Sequence, residues 1–172
     1  IGIIVHSITG NTLSVAERIQ QQLAEKGHTA VIERIRPSGK EPVQSEAAVQ
    51  LTSMPDLSGY EALVFGSPVQ AFSLDPVMSA YLKQVEDLGG RRTVCFLTQQ
   101  LPFRFFAGNR SIRQMQTLCE ARHGSVCLDL AAVPDLAPEL PWPDHDVWLA
   151  AIGRRQAFAR RLRDIDNFSG FF

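Results

Sequence analysis

Ile1-Gly2-Ile3-Ile4-Val5-His6-Ser7-Ile8-Thr9-Gly10-Asn11-Thr12 starts as an almost continuous apolar run and ends in a polar turn. Such a run predicts a short strand buried on both faces. Past the turn, Leu13, Ala16, Ile19, Leu23 and Ala24 recur at helical spacing. Gln20, Gln21, Gln22, Glu25 and Lys26 fill the outer face of that helix, and Gly27 stops it.

The alternation continues down the chain. His28 to Ile35 alternates around Ala30, Ile32 and Ile35, which predicts a strand nearer a sheet edge. Residues 36–58, with Pro37, Gly39, Pro42 and Pro55, read as a connection with one helical turn near Ala47 to Leu51. Ala62 to Gly66 predicts a third strand, buried like the first. Pro76, Val77, Met78, Tyr81, Leu82 and Val85 mark a helix with proline in its first turn. Thr93 to Thr98 predicts a fourth strand, and Ile112, Met115, Leu118 and Cys119 a third helix. Ser125 to Leu130 predicts a fifth strand. Pro134, Pro138, Pro141 and Pro143 break up residues 131–143, and Asp144 caps a last helix over 144–163, followed by a tail at 164–172. Strands alternating with helices predict an α/β fold, a doubly wound five-stranded parallel sheet in a three-layer sandwich, as one domain over 1–172.

Composition narrows the function classes. The chain has 172 residues, 45% of them hydrophobic, and a formal net charge of −1. It can bury a full core, and its total charge gives no pull toward nucleic acid or anionic lipid. No apolar run approaches the roughly 20 residues of a transmembrane helix. Ile1 to Val5 reads as a strand rather than as the charged and hydrophobic segments of a signal peptide, and a leader removed by processing stays open. The cysteines Cys95, Cys119 and Cys127 are odd in number and widely spaced, so neither a disulfide framework nor a zinc knuckle is suggested. Free thiols fit a reducing compartment, which predicts a cytoplasmic protein. Cys95 and Cys127 are expected as buried thiols on neighbouring strands. The spacing supports no Ser/His/Asp arrangement and no metal-ligand cluster.

In a doubly wound sheet, ligands bind beyond the carboxyl ends of the strands, where strand order reverses. The turn from Ser7 to Thr12 lies at such an end. A phosphate there meets helix N–H groups carrying partial positive charge. The hydroxyls of Ser7, Thr9 and Thr12 and the Asn11 amide add donors, and Gly10 permits a tight backbone. The turn has no GxGxxG and no GK[ST], which argues against a dinucleotide or nucleoside triphosphate on it. The plain alternative is an ordinary strand-to-helix turn with a polar cap.

The pattern of Ser7 to Thr12 resembles the phosphate loop of the flavodoxin family, T/S-x-T-G-x-T. Leu57-Ser58-Gly59-Tyr60-Glu61-Ala62-Leu63-Val64-Phe65-Gly66-Ser67-Pro68 resembles the third-strand signature of flavodoxins and related FMN-dependent reductases, ending in G-[ST]-P. The likeness covers about residues 1–130. It implies FMN as cofactor and strand order 2-1-3-4-5. The phosphate would lie on Ser7, Ile8, Thr9, Gly10, Asn11 and Thr12, and the isoalloxazine ring on Ser67, Pro68 and Val69. Gln70 and Phe72 follow in the same loop. Phe72 either stacks on the ring or packs against the next helix. After strand four, Thr98, Gln99, Phe103, Phe106 and Gly108 complete the candidate cofactor residues, with one phenylalanine flanking the flavin.

Charge distribution departs from that family, whose members are typically acidic around the flavin. Leu88 to Cys119 contains no acid and five arginines, Arg91, Arg92, Arg104, Arg110 and Arg113. Residues 1–90 hold six basic and ten acidic side chains, and residues 91–172 hold eleven and eight. Arg104 or Arg110 either tunes the flavin, by favouring its anionic reduced form, or recruits an anionic partner such as a nicotinamide dinucleotide. The plain alternative is solvated arginines on two separate surfaces. The basic face of the last helix reads as a solvated face, with docking of an acidic partner as the alternative, and Phe168, Phe171 and Phe172 pin the tail or join a homo-oligomer contact. His6 ends strand one as a packed residue or a neighbour of the site. Two functions stand: an electron carrier between redox partner proteins, and an NAD(P)H-dependent FMN oxidoreductase acting on quinones or similar acceptors. A flavin-free scaffold is a weaker third.

Overall fold

β1 (Gly2–Val5) is buried along its whole length because strands pair with it on both sides. β2 (Val31–Arg34) and β3 (Ala62–Gln70) flank it, both parallel to it. β5 (Arg92–Gln99) and β6 (Ser125–Pro134) continue the sheet beyond β3, giving the order β2-β1-β3-β5-β6. A two-residue strand, β4 (Ser73–Leu74), folds back antiparallel on the end of β3. The computed structural model describes residues 1–39, 41–99 and 107–134, which lie within one compact unit, Ile1–Asp135. The expected helix at 144–163 and the tail lie outside the described residues.

Strand order dictates where the helices go. From β1 the chain steps one way to β2 through α1 (Asn11–Glu25). From β3 it steps the other way, to β5 through α2 (Pro76–Gln84) and to β6 through α3 (Ala107–Glu120). Right-handed crossovers in opposite directions put α1 on one face of the sheet and α2 with α3 on the other. The pleat sorts the core accordingly. Ile4, Leu63, Phe65, Cys95 and Leu97 join Met78, Tyr81, Leu82, Ile112 and Met115 on the α2–α3 side. Ile3, Val5 and Phe96 are fully buried and alternate to the α1 side, where Ala16 and Leu23 are buried.

Several elements differ from the sequence reading. The second strand covers only Val31–Arg34, with its ends partly exposed as befits an edge. The helical turn is a 3-10 turn at Glu46–Ala48. The third strand runs on through Ser67 and Pro68 to Gln70, where a loop was expected. The last strand continues to Pro134, past the expected end at Leu130. The strands of Cys95 and Cys127 are neighbours as expected, with Cys95 in register with Asp129 and its thiol 3.9 Å from that of Cys119. No helix among the described residues is long and apolar enough to cross a membrane.

Gly66 is where β3 and β5 demand a residue without a side chain. It pairs with Phe96, whose ring occupies the space a Cβ would need. Gly66→Ala must displace that fully buried ring, an overpacking cost of about 3 kcal/mol. Urea denaturation is expected to show the lost stability as a lower midpoint with unchanged slope. An unchanged midpoint would contradict this packing.

Candidate functional site

The carboxyl ends of β1 and β3 are where strand order reverses, and the two chain segments leaving them carry the site. After β1, Ser7 is buried and its Oγ accepts the Leu13 N–H at 3.2 Å. Gly10 adopts φ 96°, a left-handed backbone that suits glycine, and stands at the N-cap of α1 with no side chain to close the helix. Ser7 therefore satisfies one of the amides exposed at the helix start, and the N-cap claims neither the Asn11 nor the Thr12 N–H. The first turn of α1 holds no acid. A Cβ on Gly10 would meet nothing within 4 Å, so the backbone there borders open space. Ile8 is half-buried and Thr9 exposed at the tip.

Thr12 is buried, and its hydroxyl lies 2.8 Å from that of Thr98 at the end of β5. Whichever hydroxyl donates, the other keeps its own proton free for a ligand. This contact ties the α1 turn to β5, and the buried Gln99 follows Thr98. Gly108 is buried in the first turn of α3. Phe103, Arg104 and Phe106 lie outside the described residues.

The segment after β3 is a tight hairpin. Val69 pairs with Leu74 and Gln70 with Ser73, leaving Ala71 and Phe72 as its two-residue turn. Both have positive φ, 44° and 62°. Non-glycine residues in that region cost about 1–2 kcal/mol each, so the turn persists because its surroundings hold it. Gln114 of α3 holds one arm: its Oε1 accepts the Ser73 hydroxyl at 3.0 Å and the Leu74 N–H at 3.1 Å. Asp75 holds the other. It accepts from Gln70 Nε2 and, through Oδ2, from the Met78 N–H at 3.0 Å, capping α2 with Pro76 in the first turn. Ser67 is fully buried within β3, and its hydroxyl donates to the Pro68 carbonyl at 3.1 Å. Phe72 is 65% exposed at the hairpin tip, so the expected alternative of packing against the next helix is not what forms.

His6 proves to be central to this end of the sheet. Its ring is 1% exposed, with Nε2 3.1 Å from Glu41 Oε1 and Nδ1 2.8 Å from Asp75 Oδ2. Nδ1 makes no aligned hydrogen bond, so its contact with Asp75 is an ion pair only when the ring is protonated. Burial alone lowers the histidine pKa, but the two carboxylates outweigh it and hold it above the ordinary value. Among the described residues no group of three His, Cys, Asp or Glu is arranged to hold a metal ion.

On the α3 side of the hairpin lies a cleft of about 1340 Å³, lined by residues including Gln70, Ser79, Lys83, Arg110, Arg113 and Gln114. Lys83 pairs with Glu46 at 2.6 Å, and the Ser79 hydroxyl donates to Glu46 at 2.8 Å. Arg110 and Arg113 are exposed, and no described carboxylate pairs with either. Arg91 and Arg92 sit at the opposite, amino-terminal end of β5, so the acid-free stretch is split between two surfaces.

The structure places Ser7 to Thr12, Ser67 to Phe72 and Thr98 at one end of the sheet. The hairpin, the Thr12–Thr98 contact and the pairing of His6 were not expected from the sequence. The Asp75-Pro76 dipeptide was a legible cap signal for α2. Glu41 is distant in sequence and carried no signal.

Comparison with known proteins agrees with this architecture. No family model matches the chain. Over 100 residues it is 31% identical to an NAD(P)H dehydrogenase (quinone) of Archaeoglobus fulgidus, covering 52% of this chain and 50% of that protein. The chain thus spans about half the length of that curated relative. Flavodoxin 2 of Bacillus cereus superposes with a TM-score of 0.58 at 18% identity, over 93% of this chain and 98% of that one. A flavoprotein from Lactobacillus acidophilus, solved in complex with FMN, superposes with a TM-score of 0.55 at 16% identity, over 78% and 91% of the two chains. The chain has the flavodoxin-like fold.

Proposed function

We propose that the chain binds FMN at the reversal between β1 and β3 and transfers electrons between redox partner proteins. The observation that carries this reading is the start of α1: a left-handed glycine at the N-cap, no acid in the first turn, and the hydroxyls of Ser7, Thr9 and Thr12 in the same turn. Those features fit a phosphate dianion better than they fit a closed helix cap. In this reading the Asn11 and Thr12 amides and the Ser7, Thr9 and Thr12 hydroxyls hold the phosphate. The backbone of Ser67 to Phe72, with Thr98 and Gln99, borders the ring. Flavin supplies one- or two-electron chemistry, and the protein's part is to bind it, orient it and shield it from water. The fold shared with flavodoxins and the FMN-bound Lactobacillus flavoprotein supports the choice of cofactor. The buried, unbridged Cys95 and Cys119 support a reducing, cytoplasmic setting.

A second reading is an NAD(P)H-dependent oxidoreductase acting on quinones or similar acceptors. The similarity to the Archaeoglobus dehydrogenase and the arginine-lined cleft favour it. Arg110 and Arg113, three residues apart on α3, would meet the diphosphate of a nicotinamide dinucleotide.

Thr9→Glu places a negative charge on an exposed residue of the phosphate turn. It is expected to weaken FMN binding at least tenfold, read by quenching of flavin fluorescence, with the melting temperature unchanged. Equal affinity in the two proteins would remove the phosphate from this turn.

Anaerobic stopped-flow mixing of FMN-loaded protein with NADPH or NADH separates the two readings. A carrier keeps its flavin absorbance until a reductase is added. Bleaching by the nucleotide alone, slowed in Arg110→Ala/Arg113→Ala, would establish the oxidoreductase instead.

A further inference from the structure

Both nitrogens of the buried His6 ring face carboxylate oxygens, Nδ1 toward Asp75 at 2.8 Å and Nε2 toward Glu41 at 3.1 Å. A neutral imidazole has one N–H and one lone pair. One of the two contacts would then set a lone pair against a carboxylate oxygen. Asp75 is fully buried, and both its oxygens already accept N–H groups, from Gln70 and Met78. Glu41 is 29% exposed and keeps access to water. Both contacts are therefore attractive only when the ring carries both protons.

The network reaches three elements. Asp75 caps α2 and grips Gln70 of the hairpin. Glu41 lies in the connection from β2 to β3. From β3, the Gly66 carbonyl accepts the His6 amide at 3.1 Å. Among the described residues the charged groups facing the ring are Asp75 and Glu41; Lys40, beside Glu41 in sequence, is outside them. Loss of the ring proton would leave a buried carboxylate without its cation beneath a hairpin whose turn is already strained at Ala71 and Phe72.

We propose that His6, as an imidazolium between Asp75 and Glu41, is a proton-dependent positioning residue for the β3–β4 hairpin, so that FMN affinity falls when the ring deprotonates. The choice of ligand rests on the flavin reading above; the proton-dependent clamp itself does not. The folded-state pKa is raised, so the stabilisation is complete below 6.5 and is lost as pH rises through the folded value.

The test follows the histidine ring resonances of the flavin-free chain by NMR, and FMN affinity from pH 6 to 9.5, in the wild type, Glu41→Gln and His6→Gln. The His6 signal, identified by its loss in His6→Gln, is expected to titrate above 6.5, and Glu41→Gln is expected to lower that midpoint. The wild-type dissociation constant for FMN should rise at least threefold across the midpoint. In His6→Gln the step should be absent, and in Glu41→Gln it should move with the His6 signal. A His6 midpoint at or below 6.5, a midpoint unmoved by Glu41→Gln, or the same step in His6→Gln overturns the proposal. If His6→Gln does not fold, wild type and Glu41→Gln decide: the signal that shifts between them is His6, and an FMN step that stays at the wild-type pH overturns the proposal. If the wild type binds no FMN, the flavin reading fails alone. The clamp is then read from the melting temperature, which should fall across the His6 midpoint and follow it in Glu41→Gln. A melting profile without that step overturns the clamp.

Discussion

Between β1 and β3 the chain reverses the direction in which it builds the sheet, and that reversal determines where everything else sits. The handedness of crossovers sends α1 to one face and α2 with α3 to the other. The segments leaving β1 and β3 therefore part at the carboxyl edge of the sheet, the place where doubly wound sheets bind ligands in a crevice. Gly66 and Phe96 hold the two central strands together beneath it, the ring of one filling the space left by the other. The Thr12–Thr98 contact joins the first turn to β5 across the same edge.

The two sides of the crevice are built on different principles. The α1 turn is left open: a left-handed glycine replaces a capping side chain, and Ser7 closes only one amide. The β3–β4 hairpin is held along both arms. Gln114 holds one arm, Asp75 the other, and His6 fixes Asp75 from below. A turn with two non-glycine residues at positive φ is unfavourable by itself, and those polar contacts are what offset it.

The architecture was legible because most elements obey one rule each. β1 and the core of β3 are apolar runs buried on both faces, and α1, α2 and α3 show apolar residues at helical spacing. The turn at Ser7 to Thr12 was legible from its hydroxyls and glycine. The hairpin was not, for two reasons. Pro68 is a residue that ordinarily breaks a strand, although a proline is tolerated where its missing N–H is not needed. Ala71-Phe72 also lacks the glycine or asparagine that announces such a turn. His6 was visible as a histidine at a strand end, but its importance comes from Glu41 and Asp75, which only the tertiary fold brings to it. The arginines were visible as a stretch, yet β5 carries Arg91 and Arg92 to the far end of the sheet from Arg110 and Arg113.

The central claim is that the start of α1 receives a phosphate on a flavin. Calorimetric titration of the flavin-free protein with FMN and with riboflavin tests it most directly, because the two differ only in that phosphate. The account predicts at least a hundredfold preference for FMN. Equal affinity for the two, or binding of neither, would contradict it.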